Sequence, residues 1–173
     1  MKPWSRVLPL MVFLLVTSAC GGSSKLEELE AQMSDVFMTQ TDENFVLEDI
    51  ECSEEAVVEV GASFQCAAGV SNGDGRLLVG VTIDGDGSAR FDQQNAIVVL
   101  SQVEADVAAD LTFGLGTTIA VTCGADAETL YKIEPIGGTF VCTATSVDSA
   151  STRDIEITVS GLQAPHAWRL LSL

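Results

Sequence analysis

The sequence predicts an α+β fold made of two tandem repeats, each one helix followed by a four-stranded antiparallel meander, with one disulfide per repeat. Three observations carry this. First, Val60-Gly61-Ala62-Ser63-Phe64-Gln65-Cys66 returns as Ile136-Gly137-Gly138-Thr139-Phe140-Val141-Cys142, at an offset of 76 residues. Second, the same offset lays Leu78-Val79-Gly80-Val81-Thr82-Ile83-Asp84-Gly85 over Asp154-Ile155-Glu156-Ile157-Thr158-Val159-Ser160-Gly161, with the threonine and the final glycine identical. Third, each copy has a cysteine upstream, Cys52 or Cys123, to serve as a bridge partner. A constant offset with matched face polarity marks one supersecondary unit used twice. The alternative is chance likeness between two segments rich in Val, Thr and Gly, and the recurrence of Gly, Phe and Cys at identical spacing weighs against it.

Residues 1–19 carry Lys2 and Arg6, then the apolar run Val7 to Val16 broken only by Pro9, then small residues leading to Cys20. That is the build of a secretory signal peptide. The run is too short to span a bilayer as a helix, which takes about 20 residues. Thr17-Ser18-Ala19-Cys20-Gly21-Gly22-Ser23-Ser24 resembles a bacterial lipoprotein signal, in which the cysteine is acylated and becomes the first mature residue. Thr17 stands where that signal usually has an aliphatic residue, and ordinary cleavage after Ala19 is the alternative. The expectation is a lipidated Cys20 with a tether over 20–24, a bilayer as partner through the acyl chains, and an extracytoplasmic location. Gly21 permits transfer to an outer membrane in a two-membrane cell.

Five cysteines less Cys20 leave Cys52, Cys66, Cys123 and Cys142. Four cysteines allow three connectivities. The repeat favours Cys52 with Cys66 and Cys123 with Cys142, and export makes disulfides chemically permissible. A four-cysteine zinc site is the alternative, but the close Cys-x-x-Cys spacing of such sites is missing. At about 70 residues each, the repeats are small enough to need a staple.

The chain has a formal charge of −17. Loss of residues 1–19 removes two basic residues and no acid, leaving 6 basic against 25 acidic residues and a charge of −19. A field of that sign opposes nucleic acid and anionic lipid headgroups and favours cationic partners. Solubility alone also accounts for it.

The first repeat is expected over 25–91. Ser24 and Glu27 have the spacing of a capping box, and Leu26, Leu29, Met33, Val36 and Phe37 recur at helical spacing to about Thr39. Strands are expected over Phe45 to Cys52, Val58 to Cys66, Leu77 to Ile83 and Ser88 to Phe91. Between the second and third, Ser71-Asn72-Gly73-Asp74-Gly75 carries hairpin signals. Asp84-Gly85-Asp86-Gly87 is read as a hairpin turn. It opens like an EF-hand loop, but the twelfth position is Asn95 and not the required Glu.

The second repeat is expected over 92–173. Asp92 is read as the cap of a helix from Gln93 to about Asp110, with Ala96, Leu100, Val103, Val107 and Leu111 on one face. Alternation from Thr117 to Cys123 predicts a strand, Pro135 suits a strand start, and Arg153 to Val159 and Ala167 to Leu171 are the last strands. Trp168 falls near the counterpart of Phe91, as a core residue.

A cysteine followed after a dozen or so residues by Val-Gly-x-x-Phe-x-Cys, a Gly-rich turn and a Val-Thr strand resembles the DUF 4333 family, found in bacterial envelope lipoproteins. Cys52, Val60, Gly61, Phe64 and Cys66 carry the likeness in the first repeat, and Cys123, Gly137, Phe140 and Cys142 in the second, whose cysteines are further apart. Ser53 and Gly124 stand where the family often has proline. The resemblance spans roughly residues 26 to 91 and 95 to 171. It implies an anchored extracytoplasmic module and supplies no known active site.

No catalytic residue, metal ligand set or cofactor motif is identified. His166 is the sole histidine, read as a surface or satisfied residue with no assignable nucleophile. The expected function is a non-catalytic binding or scaffold module of the cell envelope, engaging an unidentified envelope or secreted protein and no nucleic acid. One alternative is an inhibitor of a secreted or envelope enzyme, since tandem helix-plus-sheet units with a disulfide each are similar to proteinaceous β-lactamase inhibitors. An inhibitor presents aromatic anchors on exposed loops, and Tyr131, between Cys123 and Cys142, is the candidate contact. The other alternative is a structural spacer.

Overall fold

The computed structural model describes residues 22–54, 56–124, 128–162 and 166–171. Residues 1–19, expected as a signal peptide, and Cys20 lie outside the described residues. The chain is α+β, with two helices, mostly antiparallel strands and two disulfides.

Helix α1 (Gly22–Gln40) lays Leu29, Met33 and Phe37 on a sheet of β1 (Leu47–Cys52), β2 (Ser63–Val70), β4 (Leu77–Ile83) and β5 (Ala89–Gln93), in the order β1-β2-β4-β5. Gly22 to Ser24, expected as tether, are already helical, so Ser24 is not a cap. Extending a formed helix adds one hydrogen bond per residue fixed, which favours continuation over a new start. Leu77 to Ile83 forms as expected, and its alternation buries Leu77, Val79, Val81 and Ile83.

Val58 to Ala62 is a turn and not the start of a strand. Ala62 N–H donates to Glu59 O at 3.0 Å, and Gly61 sits at φ +85°. A β-turn with its third residue at that φ is type II, which glycine adopts without steric cost. Gly61 N–H then reaches Ile83 O, and Ile83 N–H returns to Ala62 O. Gly137 has the same φ, and the bonds Gly138 to Pro135, Gly137 to Val159 and Val159 to Gly138 repeat the set position for position. The recurring Gly is there to turn the chain into β2 and into β9 (Thr139–Ser146).

The expected helix start at Gln93, with Asp92 as cap, is corrected. Asp92 lies in β5, and residues 96–99 form β6 (Ala96–Val99) before helix α2 (Leu100–Leu115), whose cap is Val99. Ile97, Val98 and Val99 are β-branched and favour the extended backbone. Asn95 directs the chain there: its buried side chain accepts from Leu78 N–H at 2.9 Å and donates to Arg76 O at 2.8 Å, standing in for a strand residue beside β4. Once the helix begins, Leu100, Val103, Val107 and Leu111 face the core as expected, and Gly116 ends it in the left-handed conformation.

The second sheet is ordered β7-β9-β10-β11, from β7 (Ile119–Cys123), β9, β10 (Thr152–Thr158) and β11 (Ala167–Leu170). Each disulfide joins facing residues: Cys52 opposite Cys66, and Cys123 opposite Cys142. Closing chain separations of 14 and 19 residues is worth roughly 3 kcal/mol each in the chain-entropy account.

Neither meander runs uninterrupted. The connection from β2 to β4 holds β3 (Gly73–Asp74), and that from β7 to β9 holds β8 (Tyr131–Glu134). These pair in parallel, and β6 completes a small sheet in the order β3-β8-β6. It lies between two cores: Tyr131 and Ile133 belong to the first, Ala96 and Val98 to the second. The two four-stranded sheets therefore stay separate and are joined by a third.

Gly75 makes that joint close. It sits at φ +108°, and a Cβ there would meet Ile133 O at 2.7 Å. Gly75→Ala is expected to cost roughly 1 to 3 kcal/mol through backbone strain and to loosen β8. Hydrogen exchange should show faster exchange over 131–134, with β9 and β10 protected as before.

Candidate functional site

One trough on the described surface is bounded by α2, β6 and β11. On α2, Gln102, Asp106 and Asp110 form a stripe beside the core-facing Val103 and Val107, because residues four apart share a helix face. Across from it, β11 brings Trp168 over the sheet, with His166 just ahead. These residues and the apolar Ile97 and Val99 of β6 enclose a cavity of about 560 Å³. A smaller cavity of about 240 Å³ shares Ile97, Val99, Gln102 and Leu162 and extends to Gln40 and Thr41 at the end of α1. The two are lengths of a single trough.

Its groups are unevenly satisfied. Trp168 Nε1 donates to Asp110 Oδ2 at 3.3 Å, which orients the indole across the trough. Asp106 has no hydrogen bond or ion pair among the described residues. Among the described residues, no Lys or Arg lines either cavity. His166, expected as a surface or satisfied residue, is half-buried on the cavity wall, and its Nδ1 is sealed from solvent with no partner among the described residues. Burial lowers its pKa below the usual 6.5, because partial removal from water disfavours the protonated ring.

Tyr131 is not a loop anchor. It is 1% exposed, its ring packs edge-on against Phe45 at 5.1 Å, and its hydroxyl donates to the Asp42 carboxylate at 2.7 Å. Residues 131–134 alternate apolar and charged, and that alternation pairs them with β6 and turns Tyr131 inward. Cys20, expected as the lipidation site, lies outside the described residues. The four other cysteines are bridged, away from the trough.

Asp84-Gly85-Asp86-Gly87 forms the expected hairpin turn, with Gly87 N–H donating to Asp84 O. The Ser88 hydroxyl and backbone N–H both donate to Asp86 and lower its pKa. Among the described residues, no three His, Cys, Asp or Glu side chains gather as a metal site. No described helix is long and apolar enough to cross a membrane.

The trough itself was missed. Asp106 and Asp110 fall on a helix face readable from spacing, but placing the helix start at Gln93 hid β6, which supplies the floor. Trp168 was read as core, and it does pack against the second core while walling the trough. No family model, no curated protein and no solved structure matches the chain.

Two titrations test this description. Burial and the neighbouring Asp42 push the Tyr131 pKa up to about 12 from 10. The native state thus holds the phenol proton more tightly than the unfolded chain, so stability is intact below pH 10 and declines as pH rises toward 12. Denaturant melts should lose roughly 2 to 3 kcal/mol over that interval, and Tyr131→Phe should remove the loss. For His166 the sign is opposite. The unfolded chain binds its proton more readily, so this contribution is complete above pH 6.5 and fades as the pH falls. His166→Gln should flatten the decline in thermal midpoint just below pH 6.5.

Proposed function

We propose that the chain is a lipid-anchored extracytoplasmic module of the cell envelope that binds another protein without catalysing a reaction. It is assembled from two copies of one helix-plus-meander unit. The observation that carries the binding reading is the trough, which three elements from different parts of the chain build around a small sheet that fixes them. Matching turn bonds at the two glycines and the equivalent orders β1-β2-β4-β5 and β7-β9-β10-β11 support the duplication. The signal-like leader, Cys20 and the disulfides support export and acylation, in line with the resemblance to DUF 4333 lipoproteins. Membership of that family is part of the proposal.

An anchored Cys20 would place the membrane next to the start of α1. At 19 residues, α1 is roughly 28 Å long. Gln40 and Thr41, at its far end, open the trough, so the helix would hold the binding surface away from the lipid. The bridging of the four described cysteines supports a role without thiol chemistry, since a thiol nucleophile must be free.

One observation favours the second reading, an inhibitor of a secreted or envelope enzyme. Phe113, in the last turn of α2, is 93% exposed beside the exposed Leu115. Exposed aromatic anchors dominate protein interfaces.

Crosslinking from intact cells with the acylated protein as bait separates the readings. An envelope protein recovered equally by wild type and Phe113→Ala supports the scaffold reading. A single secreted enzyme lost with Phe113→Ala supports inhibition, and recovery of nothing specific overturns both in favour of a spacer. Metabolic labelling with an alkyne fatty acid should mark wild type and not Cys20→Ser.

A further inference from the structure

The chemistry of the trough changes along its length. At one end stand Asp106 and Asp110, one turn apart on α2, with the Trp168 ring beside them. At the other end Gln40, Thr41, Gln93 and Gln102 present amides and a hydroxyl. Between the two runs β6, which pairs only with β8, leaving one edge of its backbone without a strand partner among the described residues.

Neither carboxylate is neutralised. Asp106 has no partner among the described residues, and the one hydrogen bond to Asp110 comes from a neutral indole. With no Lys or Arg in the lining and a chain charge of −17, the acidic end sits in a negative field and against an apolar floor. The complementary group is a cation on an apolar stem, which is the build of lysine and arginine side chains. An oriented tryptophan ring adds a face that attracts such a cation.

We propose that the trough binds an extended segment of a partner protein by one lysine or arginine side chain. The cation sits among Asp106, Asp110 and Trp168, and the segment's backbone runs along β6 toward Gln40 and Thr41. This rests on the reading of the chain as a protein-binding module and adds which side chain is recognised. The trough outlasts its acidic end and continues past an unpaired strand edge to amide-bearing residues. Main-chain hydrogen bonding is available there, so it suits a peptide better than a small amine.

The test is calorimetric titration of the detergent-solubilised full chain with a capped pentapeptide of alternating valine and lysine. Saturable one-to-one binding is expected, weakened about tenfold or more by Asp106→Asn, as for loss of one charged contact. Asp106→Glu should retain most of the affinity. Glu28→Gln removes an equal charge on α1, outside the lining of the trough, and should leave the affinity unchanged. A peptide with norleucine in place of lysine should not bind. Equal weakening by Glu28→Gln and Asp106→Asn, equal binding of the norleucine peptide, or no saturation would overturn the proposal. Thermal midpoints of the variants confirm folding. A crosslinked partner recovered equally by Asp106→Asn refutes the ligand chemistry and leaves the binding-module reading standing. Peptide binding with no cellular partner refutes the binding-module reading and not the recognition of the cation.

Discussion

A phenol hydroxyl held by one carboxylate is the interaction on which the arrangement depends. Tyr131 and Asp42 are 89 residues apart, and the bond between them carries a strand of the second half into the core of the first. With Tyr131 seated, Ile133 follows it inward on the same face, and β8 lies where β3 and β6 can pair with it. Lys132 turns outward between them, where its ammonium pairs with the Asp74 and Glu134 carboxylates. The floor of the trough is the edge strand of that sheet, so the geometry of the candidate site is inherited from a buried tyrosine that never touches it.

The two glycine turns show how a short sequence recurrence encodes a larger geometry. Gly61 and Gly137 each occupy the position of a type II turn where a side chain would be strained. Each turn feeds a strand, β2 or β9, whose cysteine is bridged to the last residue of β1 or β7, and in each the turn amide is tied to Ile83 or Val159 at the far end of the following hairpin. The aromatic after the turn, Phe64 or Phe140, is buried in both. A glycine for the turn, an aromatic for the core and a cysteine for the staple are three separate physical demands, and that is why all three recur together.

Much of this was legible from residues alone: the apolar stripes of both helices, the alternation of Leu77 to Ile83, and the bridge pairing. What was not legible has physical causes. Ala96 fits a helical face by spacing, yet β-branched neighbours and the Asn95 side chain, acting as a piece of strand, hold residues 96–99 extended. Tyr131 sits in a stretch that reads as a connection because its strand spans residues 131–134 only and its partners are remote in sequence. Non-local pairing of that kind leaves little periodic signal. Asp106 and Asp110 look like any solvated helix face until Trp168 is placed opposite them.

The parallel pairing of β3 with β8 also bears on how the molecule is made. The first core lacks Tyr131 and Ile133 until the chain has been extended through both helices, so a nascent chain that ends before that point has an open seam beside Phe45. Contacts so far apart in sequence must close a long loop before they contribute, which slows folding. The amino-terminal core is thus completed only by residues of the carboxy-terminal half. A chain halted after the first sheet would be an incomplete particle, with its apolar seam offered to proteases and chaperones, and not a smaller version of the same protein.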